Sequence, residues 1–124
     1  MRNFDDNFKG ITLLANQTVS GSGAEVNGTG VALNGCRQGV LVVDAGTFGA
    51  TFTFMLQTSY NNSTWTDVFS AEKTITAGAD EAFAFYEAKG LEQYVRIQYT
   101  GVNGQDYEVG IALIGWDAAA VPVS

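Results

Sequence analysis

Residues 50–69 read ATFTFMLQTSYNNSTWTDVF, and the class of the fold follows from this stretch. Its first arm alternates: Phe52, Phe54 and Leu56 share one face of an extended chain while Thr51, Thr53 and Gln57 share the other, the period of two of a half-buried strand. Met55 is the one apolar exception. The run Ser59-Tyr60-Asn61-Asn62-Ser63-Thr64 then supplies residues that accept left-handed or side-chain-capped turns, and Trp65 to Phe69 resumes an aromatic, β-branched pattern. The stretch predicts a β-hairpin with a short loop.

The same period recurs on both sides of the hairpin. Phe8–Leu14 reads as a first strand, Thr18–Gly23 as a loop, and Ala24–Asn27 and Val31–Leu33 as two very short strands around Gly28-Thr29-Gly30. Val40-Leu41-Val42-Val43 is apolar on both parities, which predicts a central strand covered on both faces or one whose outer face meets a partner. Phe83 and Phe85 alternate with Ala82, Ala84 and Tyr86. Further on, Val95, Ile97 and Tyr99 alternate with Tyr94, Arg96 and Gln98, and Val109, Ile111 and Leu113 with Glu108, Gly110 and Ala112; these last two runs read as a second hairpin across Val102–Asp106. Short strands separated by glycine-rich turns, with no helix-length segment between them, predict an all-β antiparallel sandwich of jelly-roll type. The expected division is an N-terminal arm over residues 1–7, one sandwich domain over 8–117 and a tail over 118–124.

Composition narrows the chemistry. A chain of 124 residues fits one domain able to bury roughly two-thirds of its unfolded surface. Its 46% of hydrophobic residues is too high for intrinsic disorder. There is no histidine, which removes the commonest general base, the commonest metal ligand and the Ser-His and Cys-His nucleophile pairs. The single cysteine, Cys36, builds neither a zinc site nor an internal disulfide, and reads as a small buried hydrophobe. Asp44, Asp67, Asp106 and Glu108 lack the spacing of a calcium loop and read as solvated turn carboxylates. The chain is therefore expected to be no enzyme and to hold no cofactor or metal. A net charge of −7 argues against a nucleic-acid partner, whose affinity comes from lysine and arginine, and reads as a solubility device. The opening residues lack the order of a secretory signal, and no apolar run approaches the ~20 residues of a membrane span. Synthesis in a cytoplasm without membrane association is expected, and the sequons at Asn16, Asn27, Asn61 and Asn62 are set aside as chance matches.

The segments Glu25–Gly35 and Val40–Gly46 resemble the opening of a family of small structural proteins encoded by tailed bacteriophages. The likeness continues in order through Phe54–Ser59, Asn62–Val68, Tyr94–Ile97 and Val109–Gly115, covering most of the chain from about residue 24 onward and leaving the arm unassigned. It is the order of several pieces that carries the resemblance. Members are virion components, and some similar small sandwiches are cement or decoration proteins on the capsid exterior. The resemblance thus implies a non-enzymatic virion protein, made in the host bacterial cytoplasm, that binds the major capsid protein from outside and stabilises the shell by bridging subunits.

Candidate contact residues follow. Phe4, Phe8 and Trp116 are the expected capsid or subunit contacts, since tryptophan is enriched where one partner buries it against another. Leu41, Val43 and Met55, with Tyr86 and Tyr94, are the expected apolar outer-face residues, and their burial by self-association predicts a homo-oligomer, taken as a trimer at threefold positions. From a different class comes a carbohydrate-binding module of the virion or tail, with Tyr60 and Trp65 as a stacking platform, although Trp65, beside a turn, reads first as a cover for one end of the core or an interface residue.

Overall fold

The structure, a computed structural model, describes residues 8–33, 35–46, 50–75 and 82–116. Phe4, the arm and the tail lie outside them. The described residues form β1 (Phe8–Ser20), β2 (Val26–Asn27), β3 (Val31–Ala32), β4 (Gln38–Ala45), β5 (Phe52–Ser59), β6 (Thr66–Asp67), β7 (Lys73–Ile75), β8 (Ala82–Ala88), β9 (Tyr94–Gly101) and β10 (Asp106–Trp116). One sheet, A, has the order β1-β10-β4-β8; the other, B, has β2-β9-β5-β6, with β3 also paired to β9 and β7 to β5. Every pairing is antiparallel. If β2 with β3, and β6 with β7, are taken as interrupted edge strands, the chain crosses between sheets at every step except from β5 to β6. The result is two antiparallel layers packed as a β-sandwich.

The inward faces of β5, β9 and β10 are those that the alternation marked, whereas β4 turns inward Leu41 and Val43, which were expected on its outer face. Phe52, Phe54 and Leu56 of β5, Leu41 and Val43 of β4, and Val109, Ile111 and Leu113 of β10 are buried against Val95 and Ile97 of β9 in one cluster. Phe52 stands at its aromatic centre, with ring centroids 5.6 Å from Tyr99 and 5.1 Å from Tyr107.

The first hairpin forms as predicted, with Gln57 opposite Asp67 and Thr58 opposite Thr66. Its loop is closed by the chemistry that the sequence offered: Asn62 is left-handed at φ 60°, and Asn61 Oδ1 accepts from the amides of Ser63 at 2.9 Å and Thr64 at 2.8 Å.

The second hairpin does not form. β9 pairs with β5 in sheet B and β10 with β1 and β4 in sheet A, so the two runs face each other across the core. Both carry an apolar face, and burying those faces against one another needs opposite sheets. Residues 101–106 make that crossing. Gly101 accepts from the amide of Gly23, and Tyr107, fully buried, accepts from the amide of Val102 at 2.9 Å and donates to the carbonyl of Thr51 at 3.0 Å. A Cβ at Gly101 would lie 2.6 Å from the Tyr107 ring, so the close approach requires glycine there.

β1 runs on to Ser20, through part of the stretch expected to be a loop. Its register slips between Thr12 and Leu14 and again between Leu14 and Gln17, and two bulges erase the alternation by which a strand is read.

Candidate functional site

The two outer faces of the sandwich differ in kind. On sheet B the centre is polar and internally satisfied. Gln57 is buried, donates to Asp67 Oδ1 at 2.9 Å, and accepts at 2.8 Å from Nε of Arg96 on the neighbouring strand. The Arg96 guanidinium lies 4.5 Å from the centre of the Trp65 ring, a cation–π contact that fixes the tryptophan over β9. Burial lowers the Arg96 pKa from the ordinary arginine value, but a guanidinium keeps its charge throughout the pH range of folded proteins. Gly30 makes room for this stack, since a Cβ there would collide with Asn62 Oδ1 and meet the Trp65 ring at 2.9 Å. Trp65 therefore covers the outside of sheet B and not one end of the core. Tyr60, at 62% exposure, stands in the adjoining loop.

On sheet A the outer face is apolar at one end and acidic at the other. Along β10 the outward positions run Asp106, Glu108, Gly110, Ala112, Ile114 and Trp116; along β4 they run Gln38, Val40, Val42 and Asp44. Register sets Asp44 beside Gly110, Val42 beside Ala112, Val40 beside Ile114 and Gln38 beside Trp116. Val42 in turn stands opposite Phe85 of β8, which is 61% exposed. A depression of about 290 Å³ lies over this face, lined among others by Thr12, Leu14, Val42, Asp44, Gly110 and Ala112.

These are not the expected outer-face residues. Leu41, Val43 and Met55 are buried, and Tyr86 turns inward to an edge-on contact with Phe54 at 5.6 Å. The run of four apolar residues leaves the phase of β4 ambiguous when read alone. Asp44, a charge on the same parity as Val40 and Val42, was the signal that those two point outward. Of the predicted contacts, Phe8 and Trp116 stand opposite each other on the first rung of the β1–β10 ladder; Trp116 is half-buried, and its carbonyl accepts from the amide of Arg37 at 3.1 Å.

Asp106 accepts from the Ser20 hydroxyl at 3.0 Å, and Asp44 is exposed. Among the described residues no three of cysteine, aspartate and glutamate converge on a point that could hold a metal ion. Cys36 is buried, its Sγ close to Gly115. No helix among the described residues is long and apolar enough to cross a membrane.

No family model matches the sequence, nor does any curated protein. Among solved structures the fold is similar to that of the exported protein XepA of PBSX, with a TM-score of 0.62 and 19% identity over 94% of this chain. The chain spans 40% of the length of that protein, and the likeness is one of fold.

Proposed function

We propose that this chain is a non-enzymatic structural protein of a bacteriophage particle, of the cement kind, that binds the outer surface of the capsid and bridges neighbouring subunits. The observation that carries the reading is the outer face of sheet A, where half-buried Val40, Val42 and Ala112 join exposed Ile114 and Phe85 in one apolar surface. A face of that kind is where a soluble sandwich meets a partner. Its acidic end, at Asp44, Asp106 and Glu108, favours a capsid surface that presents lysine or arginine beside an apolar ridge. The fold is similar to that of a protein of phage PBSX, which supports a phage setting. A protein that binds only the assembled shell stabilises it against disassembly by mass action.

The test is cryo-electron microscopy of shells that lack the protein, before and after its addition in purified form. Ordered density on the outer surface, with sheet A toward the shell, is the expected outcome. Binding should weaken about tenfold or more for Ile114→Lys, which sets a charge in the apolar end. Bare shells, or retention competed by free oligosaccharide and lost on Trp65→Ala, would instead assign the chain to the glycan-binding class.

A further inference from the structure

The strand edges of the sandwich are unequally guarded. In sheet B both flanks are broken into strands of two or three residues, which offer little backbone to a newcomer. In sheet A, β1 is long but interrupted by its two register shifts. β8 is different. Its register against β4 is unbroken from Ala82 to Ala88, it contains neither proline nor glycine, and its only charge is Glu87. Among the described residues Glu87 is its one guard of the usual kinds, and Phe85, the middle residue, is 61% exposed.

We infer that β8 pairs antiparallel with β8 of a second copy of this chain, about a two-fold axis at Phe85. The strand is self-complementary in that arrangement. Centring on Phe85 sets Phe85 opposite its own copy, Glu87 opposite Phe83, Ala84 opposite Tyr86 and Ala82 opposite Ala88, so all seven residues pair and no like charges meet. The two Glu87 positions fall four residues apart along the strands, roughly 13 Å, beyond the ~8 Å Debye length of physiological salt. Each Glu87 also has Lys89 at 3.5 Å. The cross-strand row Thr12, Ala112, Val42 and Phe85 then continues through the axis into the same row of the second copy, joining two four-stranded sheets into one. A closed two-fold contact also uses up both edges, which an open head-to-tail contact of β8 on β1 does not.

Sedimentation velocity of the full chain, from micromolar to roughly 100 μM, reads the association expected of a small strand-edge interface. A monomer–dimer equilibrium is expected, and it should tighten with added salt because both partners are acidic. Phe85→Lys should weaken it about tenfold or more, while Thr74→Lys on β7 of the other sheet should leave it unchanged. Should the lysine variant fail to fold, Phe85→Cys supplies a second reading. The axis brings the two introduced thiols within disulfide reach, so a mild oxidant should yield a covalent dimer, and Thr74→Cys should not. A monomer throughout, a trimer, loosening with salt, a Phe85→Lys variant of unchanged affinity, or a Phe85→Cys variant that does not cross-link would each overturn the inference. None of these readouts involves a capsid, so the outcome is independent of the shell-binding test.

Discussion

At the scale of single residues, Tyr107 is the tie between the layers. Its ring fills the core beside Phe52, and its hydroxyl serves both the amide of Val102 and the carbonyl of Thr51, holding the 101–106 crossing to the start of β5. Tyr107→Phe keeps the ring and strands two backbone groups. The expected cost is about 1–3 kcal/mol in urea unfolding, with faster hydrogen exchange at the Val102 amide. The tie was not legible in the sequence, where Tyr107 was one more residue of an alternating strand. The Asn61 and Asn62 turn was legible, because a carboxamide that caps the next amides acts over three residues and needs nothing from elsewhere in the chain.

The strand is the scale at which parity matters, and β4 carries the test. Leu41 is fully buried between the sheets and Val42, one residue on, faces outward, although both belong to the same apolar run. Leu41→Ala should cost about 2–5 kcal/mol, because it removes buried methyl groups and leaves a cavity. Val42→Thr, of nearly the same shape on the open face, should change stability by less than about 1 kcal/mol. Equilibrium denaturation of the two variants checks both; similar losses would mean that the outer face is as dry as the core. Periodicity marked which residues of β4 share a face, and the pairing of Leu41 with Leu113 and Val43 with Ile111 decided which face is inside.

For the whole molecule the governing quantity is charge. Six basic residues stand against thirteen acidic ones, and the outer face of sheet A gathers Asp44, Asp106 and Glu108 at one end. Self-repulsion of this kind weakens with ionic strength. The melting temperature of the dilute chain should therefore rise by a few degrees between roughly 10 mM and 150 mM sodium chloride, as the Debye length falls from about 30 Å to about 8 Å. A melting temperature independent of salt would mean that local pairs such as Glu87 with Lys89 already balance the field.

By itself the sequence determined the all-β class, the alternation within β5, β9 and β10, the first hairpin with its asparagine turn, and the want of histidine. Each of these rests on interactions within a few residues: side-chain alternation on an extended backbone, left-handed geometry at Asn62, a composition. Only the tertiary structure decided that β9 and β10 lie in opposite sheets, that Trp65 packs on Arg96 outside the core, and that Val40, Val42 and Phe85 point outward. Those outcomes depend on pairing between residues far apart in the chain. A strand with apolar residues on both faces satisfies its local pattern equally well in either orientation, until the strands beside it and the layer across from it take one side.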